Sequence, residues 1–130
     1  MLQGKIAVIT GASRGIGKAI AERFASEGAF VIINYNGSKE HAQEVKHEIL
    51  EHGGNAEIMQ CNVADFAACE TFIKQIVDKY GRIDVLVNNA GITKDGLLMR
   101  MSEEAFDDVI ATNLKGAFHC IRFASRYMMK

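Results

Sequence analysis

The sequence predicts an α/β protein, a doubly wound, Rossmann-like parallel sheet with its strands in the order 3-2-1-4. Three observations lead to this fold class. Short apolar runs alternate with longer segments in which apolar residues recur at the helical spacing. The first two runs are almost uninterrupted, as expected of parallel strands covered on both faces. A glycine-rich junction follows the first run directly, and right-handed crossovers then place the topological switch point between strands 1 and 4.

Four apolar runs have the composition of β-strands. They are predicted at residues 5–10, 30–34, 56–61 and 83–87. The first two are rich in β-branched residues, which favour strands, and the third has the weakest pattern. The intervals between the runs are long enough to hold a helix each. Because connections of that length join parallel strands, we expect a parallel sheet with helices on both faces.

The first two helices are predicted from apolar residues about four positions apart. These residues are Ile16, Ile20 and Phe24 in the first helix and Ala42, Val45 and Ile49 in the second. Gly28 follows the first segment, and a glycine pair at 53–54 follows the second. Glycine commonly ends a helix because it adopts the left-handed conformation without strain. Both helices are therefore expected to stop at these glycines.

Two further helical segments follow. The third helix is predicted to have Asp65 as its N-cap and to stop at Gly81. A long helical tract begins at Ser102, whose capping signal is partial because the third residue after it is neither Glu nor Gln. The apolar residues that define this tract are Phe106, Val109, Ile110, Leu114, Phe118, Ile121 and Tyr127. The fourth strand would be a bare apolar edge and the chain stops within a helix, so we expect the polypeptide to be longer.

Composition and charge exclude several classes of protein. Hydrophobic residues make up 48% and charged residues 24% of the 130 residues, which is typical of one soluble globular domain. Fifteen Lys and Arg residues against sixteen Asp and Glu residues give a net charge of −1, which predicts no binding to nucleic acid or to a membrane surface. No signal segment and no apolar run near ~20 residues is present, so no membrane span is predicted.

The cysteines and histidines have no spacing that indicates a metal site. The cysteines are Cys61, Cys69 and Cys120, and the histidines are His41, His47, His52 and His119. An odd number of cysteines without a zinc or redox motif favours a reducing cytoplasm, in which thiols behave as small apolar side chains. The histidines are expected at the surface. We therefore predict no metal.

The junction after the first strand contains the chemistry-bearing motif. Gly11, Gly15 and Gly17 form a Gly-x3-Gly-x-Gly pattern between a strand and a helix. A P-loop is excluded because positions 12 and 19 are both alanine, and the Gly-x-Gly-x-x-Gly pattern fails because residue 20 is isoleucine. Glycines at such a junction let the backbone approach a phosphate, and the helix N-terminus offers free N–H groups. The motif predicts a dinucleotide site.

The end of the second strand predicts which dinucleotide is bound. An acidic residue usually stands there and binds the adenosine ribose hydroxyls. Residues 34–39 read Asn-Tyr-Asn-Gly-Ser-Lys and contain no carboxylate. Arg14, Asn36 and Ser38 are candidates to receive a 2′-phosphate, Arg14 through a charge-assisted hydrogen bond. The sequence therefore favours NADPH over NADH.

Three motifs together resemble the short-chain dehydrogenase/reductase family. They are Thr-Gly-Ala-Ser-Arg-Gly-Ile-Gly at 10–17, Asn-Asn-Ala-Gly at 88–91 and Thr-Asn-Leu at 112–114. Residues 88–100 look most like the branch of that family that acts in fatty acid synthesis. The resemblance covers the whole chain but only the N-terminal half of a family domain. It implies NADPH-dependent reduction of 3-oxoacyl-[acyl-carrier-protein] to the 3-hydroxyacyl form by a cytoplasmic homotetramer whose partner is the acyl-carrier protein.

The resemblance also implies roles for particular residues. Those that would surround the pyrophosphate and the adenosine ribose are Gly11, Ser13, Arg14, Gly15, Ile16 and Gly17. Tyr35 and Asn36 would lie at the 2′-phosphate, and Asn62 and Val63 at the adenine ring. The residues at the nicotinamide-side ribose would be Asn89, Ala90 and Gly91. Asn113 matches the asparagine of the family's Asn-Ser-Tyr-Lys tetrad, which positions a proton-relaying water. Asparagine is a poor residue inside a helix, which also marks Asn113 as functional.

The chain departs from the family pattern at the other three members of the tetrad. The family acid is a tyrosine in Tyr-x3-Lys, whereas Tyr127 and Lys130 are spaced Tyr-x2-Lys. Ser102 and Ser125 do not match the carbonyl-binding serine. Alternatives are an acetoacetyl-CoA reductase, another short-chain carbonyl reductase, or a nucleotide-binding module without catalysis. A serine followed by Tyr-x3-Lys beyond residue 130 would distinguish an enzyme from such a module. Residues 97–101 are interpreted first as core or subunit-contact packing. The resemblance implies the alternative that they border the substrate entrance.

Overall fold

A computed structural model describes residues 1–91 and 101–129 of the chain. The described residues form a parallel sheet with the strand order β3-β2-β1-β4, as the sequence predicts. The strands are β1 (Ile6–Ile9), β2 (Phe30–Tyr35), β3 (Asn55–Gln60) and β4 (Val85–Val87). The fourth strand is shorter than its apolar run at 83–87. Residues 97–100 of the candidate substrate entrance lie outside the described residues.

Helices connect the strands at the predicted places. They are α1 (Gly15–Ser26), α2 (Lys39–Glu51), α3 (Phe66–Tyr80), α4 (Glu103–Val109) and α5 (Gly116–Met128), with a π-helical segment (Ile110–Lys115) between the last two. Asp65 caps α3 as predicted, because its carboxylate accepts the Ala68 N–H at 3.0 Å. Gly81 ends α3 in the left-handed conformation at φ 86°. Ser102 caps α4 by accepting the Ala105 N–H.

The register of the sheet brings four strand ends to one edge. Ile6 and Ile9 of β1 lie opposite Phe30 and Ile33 of β2, and Ile9 also lies opposite Val87 of β4. Because all pairs are parallel, the loops that follow the four strands meet at the carboxyl edge. Beyond β1 the chain turns to one side of the sheet and beyond β4 to the other. The predicted switch point therefore exists between β1 and β4.

Two apolar clusters cover the two faces of the sheet. Ala7 and Ile9 of β1 belong to the cluster beneath α1 and α2, whereas Val8 between them belongs to the cluster beneath α3 and α5. All three residues have no accessible surface. Burial on both faces explains why the first two strands are continuous apolar runs, because neither face of these strands meets water.

The long helical tract differs from the sequence interpretation. It is divided by the π-helical segment, and several apolar residues that define it are more than half exposed: Phe106, Leu114, Phe118 and Ile121. The buried face of α5 consists of Gly116, His119, Cys120 and Ala124. The helical periodicity therefore located the tract correctly, but much of the apolar stripe does not face the core of the described residues.

The expectation that every histidine lies at the surface is wrong for His119. Only 7% of this residue is exposed. Its Nδ1 lies 2.8 Å from the carbonyl oxygen of Val63, so Nδ1 carries the hydrogen and donates it, since a carbonyl only accepts. The ring also packs edge-on against Phe66 at a centroid distance of 5.4 Å. A satisfied hydrogen bond and an aromatic neighbour allow this polar ring to be buried.

The three cysteines are buried and free, and they lie together in the cluster beneath α3 and α5. The Cys69 thiol donates to the Val63 carbonyl at 3.3 Å. Hydrogen bonding to Cys69, and then burial, raise the pKa of the Cys61 and Cys120 thiols. Among residues 1–91 and 101–129, no group of His, Cys, Asp or Glu side chains is arranged to hold a metal ion.

Candidate functional site at the switch point

A cavity of about 390 Å³ opens at the carboxyl edge of the sheet. The loops after all four strands contribute to its lining, together with Thr112 of the π-helical segment. The predicted site residues that line it are Gly11, Ser13, Arg14, Asn36, Asn62, Val63, Asn89, Ala90 and Gly91. The tertiary fold thus brings together most of the residues that the sequence motifs selected. Parallel α/β sheets hold their ligands at this position.

Gly11 and Gly17 are required by the close packing of the glycine loop. Gly11 has φ 63°, and a Cβ at this position would lie 2.7 Å from the Cα of Ala90. A Cβ at Gly17 would lie 2.5 Å from the Gly11 carbonyl oxygen and would also collide with Asn89 Nδ2. The Asn89 side chain itself donates to that carbonyl at 3.0 Å. The glycines therefore let the loop pack against the segment that follows β4.

The loop that enters α1 lines the cavity, and no acidic side chain stands in the first turn of that helix. Arg14 occupies the N-cap position, where its side chain forms no capping hydrogen bond, and the first turn contains no acidic residue. The N–H groups at the start of a helix lack intrahelical partners and carry partial positive charge. With the cavity of about 390 Å³ beside this helix start, the arrangement fits a pyrophosphate.

Thr10 joins the glycine loop to the segment after β4, and sequence reasoning missed it. Its Oγ1 accepts the N–H groups of Asn89 and Ala90, both at 3.0 Å, and is within 3.4 Å of the Val87 carbonyl. Only 1% of the residue is exposed. No local signal reveals this role, because the partners are nearly eighty positions away in the chain.

Asn34 is a second residue that sequence reasoning missed, and it is 2% exposed at the end of β2. Its Oδ1 accepts the Gly11 N–H at 3.1 Å, while its Nδ2 donates to the carbonyl of Cys61 at 3.1 Å and lies 3.4 Å from that of Met59. One side chain therefore joins the glycine loop to the end of β3. A polar residue closing an otherwise apolar strand is the signal that could have found it.

The segment after β3 is also held by side chains of distant elements. Val63, which is 4% exposed, accepts hydrogen bonds from Cys69 of α3 and from His119 of α5 through its carbonyl. Asn62 Oδ1 accepts the N–H of Ala64 at 3.0 Å. The side-chain carbonyl of Asn62, which the family resemblance places at the adenine ring, therefore already accepts a backbone hydrogen bond, and one lone pair remains.

Several predicted site residues do not line the cavity. The side chain of Tyr35 is 9% exposed and packs in the core cluster beneath α1 and α2. Gly15, Ile16 and Gly17 lie in α1 outside the cavity lining, and Ile16 is 74% exposed. The roles that family resemblance implies for these four residues stay predictions. Tyr35 would reach a ligand only through its backbone.

Asn113 lies in the π-helical segment beside the cavity. A Cβ added to Gly91, which lines the cavity, would come within 3.2 Å of Asn113 Oδ1. The neighbouring Thr112 lines the cavity directly. Single turns of π-helix recur at functional sites, where they redirect a side chain. Asn113, which the sequence marked as unusual inside a helix, thus lies in a π-helical turn.

The sheet order, the glycine loop and the cavity at the switch point define a Rossmann-like α/β protein with a ligand site at its carboxyl edge. Residues 5–130 match the family described as short chain dehydrogenase, and the chain belongs to that family. Among residues 1–91 and 101–129, no helix is both long and apolar enough to cross a membrane.

Three relatives illustrate the similarity. The 3-oxoacyl-[acyl-carrier-protein] reductase FabG of Staphylococcus aureus is 52% identical over 130 residues, all of this chain and 53% of the relative. The corresponding reductase of Synechocystis is 48% identical over 129 residues, which are 99% of this chain and 52% of that protein. A metagenomic short-chain oxidoreductase solved in complex with NADP is 40% identical at a TM-score of 0.93, covering 98% and 58% of the two chains. The chain therefore spans about half the length of these relatives.

Proposed function

We propose that these 130 residues form the nucleotide-binding, N-terminal half of an NADPH-dependent 3-oxoacyl-[acyl-carrier-protein] reductase. The observation that carries the proposal is the switch-point cavity, whose described lining includes Arg14, Asn36 and Ser38 and no carboxylate. The names of the Staphylococcus and Synechocystis relatives support the substrate, and the NADP in the metagenomic relative supports the cofactor.

The chemistry requires a hydride and a proton. The nicotinamide supplies the hydride for the 3-keto carbon of an acyl thioester when the cofactor is bound. The residues of this chain would bind and orient: the glycine loop at the pyrophosphate, and Asn89, Ala90 and Gly91 at the nicotinamide-side ribose. The hydrogen bonds of Thr10 and Asn34 would hold these loops in position relative to one another. The proton has to come from an acid, which in the family is a tyrosine in Tyr-x3-Lys.

The absence of a carboxylate from the described lining supports NADPH over NADH. A carboxylate at the end of β2 would accept hydrogen bonds from the ribose hydroxyls and repel a 2′-phosphate. In this chain the corresponding wall consists of Asn36, Gly37 and Ser38, with Arg14 on the facing loop. Arg14 is exposed and would form a charge-assisted hydrogen bond with the phosphate.

Replacing Arg14 with alanine is expected to weaken NADPH binding by about 1.5–3 kcal/mol, the value of a hydrogen bond to a charged group. NADH binding should change much less, because NADH has no 2′-phosphate. Fluorescence titration of both cofactors measures the two dissociation constants. Arg23→Ala, which removes an exposed positive charge at the other end of α1, is the matched control. Equal weakening of the two cofactors by Arg14→Ala would show that Arg14 does not recognise the phosphate.

A preparation verified to contain only these 130 residues is expected to bind NADPH without reducing a 3-oxoacyl thioester. Tyr35 is buried in the core, and Tyr80 packs on Phe30 at the opposite edge of the sheet, with ring centroids 4.8 Å apart. Tyr127 is fourteen residues beyond Asn113, roughly 20 Å along a helix. NADPH absorbance should therefore decay at the rate without protein. Turnover by this preparation would require another acid and would contradict the assignment.

The complete polypeptide is expected to oxidise NADPH with the same substrate. Comparing kcat/KM for the acyl-carrier-protein thioester and the CoA thioester shows which of the two carriers the enzyme prefers. A higher value for the carrier-protein thioester supports the proposal, and a higher value for CoA favours an acetoacetyl-CoA reductase.

The proposed enzyme is a homotetramer in the cytoplasm. The large apolar side chains that α4 and α5 expose, among them Phe106 and Phe118, support their burial by further protein.

A further inference from the structure

Gln60 contacts the wall of the switch-point cavity without lining it. It is the last residue of β3 and lies opposite Tyr35 in the register of the sheet. Its Nε2 lies 3.2 Å from the backbone carbonyl of Asn36 and 3.1 Å from Asn36 Oδ1. One amide group thus binds both the backbone and the side chain of a residue that lines the cavity.

These two contacts determine which way the amide of Asn36 faces. A backbone carbonyl only accepts hydrogen bonds, so Gln60 has to present its NH₂ group and not its oxygen. The same NH₂ group then requires an acceptor from the Asn36 side chain, which is Oδ1. The Nδ2 of Asn36 is consequently on the branch turned away from Gln60. The backbone carbonyl of Asn36 therefore fixes the orientation of both side-chain amides by hydrogen-bond logic. The assignment does not depend on telling amide N from amide O by atomic position.

An amide held in this orientation favours a phosphate over a hydroxyl. A phosphate ester oxygen accepts hydrogen bonds, so it pairs with the NH₂ group of Asn36. A ribose 2′-hydroxyl both donates and accepts, so it pairs with either end of an amide that is free to turn. Holding Oδ1 on Gln60 therefore favours the phosphate. Arg14 and Ser38 in the same cavity supply further donors.

We propose that Gln60 is a positioning residue for cofactor specificity: it holds the Asn36 amide with its donor toward the cavity and thereby favours a dinucleotide that carries a 2′-phosphate. The inference rests on the proposed function, because it concerns the adenosine end of the same site. Gln60 would not touch the ligand. Its effect would pass entirely through Asn36.

The test compares two ligands that differ by one group, adenosine 2′,5′-bisphosphate and adenosine 5′-monophosphate. Gln60→Met keeps the length of the side chain and removes the donor. We expect it to weaken the bisphosphate about 3- to 10-fold, because the freed Asn36 amide can turn its oxygen toward the phosphate, and the monophosphate less than about 2-fold. Gln60→Glu replaces the donor with an acceptor that carries a negative charge and should weaken the bisphosphate further, in a salt-dependent manner. Calorimetric titration measures the dissociation constants of both ligands for the wild type and for each variant.

A double-mutant cycle separates positioning from general damage. In an Asn36→Ala background, Gln60→Met should cause no further loss of bisphosphate affinity, because the amide that Gln60 orients is gone. Gln75→Met on the exposed face of α3 is the matched control and should leave both affinities unchanged. Melting temperatures report whether the variants fold.

The outcomes distinguish the two proposals. Equal weakening of both ligands by Gln60→Met, or full additivity with Asn36→Ala, would overturn the role of Gln60. Retention of the wild-type preference for the bisphosphate by Gln60→Met would do the same and leave the proposed NADPH dependence intact. A wild-type protein that binds both ligands equally would instead overturn the NADPH preference itself.

Discussion

Gly11→Ala is expected to lower the free energy of unfolding by about 2–5 kcal/mol and to abolish tight nucleotide binding. Two costs add at this position. An alanine at φ 63° is strained by about 1–2 kcal/mol. Its Cβ would also lie 2.7 Å from the Cα of Ala90, a backbone atom that cannot rotate away, and overpacking of this kind costs about 1–3 kcal/mol. Urea denaturation measures the change.

Gly15→Ala is the matched control for Gly11→Ala. Gly15 has almost the same backbone conformation, φ 61°, but a Cβ there meets no atom within 4 Å. It should therefore cost only the backbone strain, about 1–2 kcal/mol. The difference between the two variants isolates the packing of the glycine loop against the segment after β4. If the two variants are equally stable, that packing is not as close as the structure describes.

Asn34→Leu is expected to lower the free energy of unfolding by about 2–6 kcal/mol. Leucine has a similar volume but neither donates nor accepts, so the Gly11 N–H and the Cys61 carbonyl lose their partner. Each buried polar group left unpaired costs about 1–3 kcal/mol. Because the lost contacts join the glycine loop to the end of β3, nucleotide affinity should fall as well. Thermal and urea unfolding, with a nucleotide titration, measure both effects.

Asn55→Leu provides the comparison, since Asn55 is exposed at the first residue of β3. The same chemical change at this surface position should stay within about 0.5 kcal/mol. A small effect at both positions would mean that water replaces the Asn34 side chain at the switch point. A large effect at Asn34 alone would establish that its buried bonds stabilise the loops of the site.

The strands and helices could be predicted because their signals are local, and the strand order followed from the doubly wound topology that they indicate. Burial of β1 and β2 on both faces produces uninterrupted apolar runs, and Gly81 and Asp65 end and begin α3 through contacts within a few residues. The glycine loop could be identified for the same reason, since its three glycines are adjacent in the chain. The cavity lining brings these motifs together, and the contribution of each residue to cofactor binding stays a prediction.

His119 and the apolar residues of α5 show where this reasoning fails. A histidine gives no local sign of burial, because what permits it is the Val63 carbonyl, fifty-six positions away. Periodicity identifies a helix with an apolar stripe, but it does not say what covers the stripe. On α5 the face against the core holds small and polar residues, whereas Phe118 and Ile121 are exposed.

The sequence by itself determined the fold class, the location of the glycine loop and the family resemblance, since each depends on residue types at short spacings. The strand order then followed from the doubly wound topology of that fold class. Only the tertiary structure decided which side chains connect the loops of the site. Thr10, Asn34 and Gln60 act on partners brought near by the sheet register and the crossovers. A hydrogen bond depends on distance in space, and separation along the chain carries no information about it until the strands are paired.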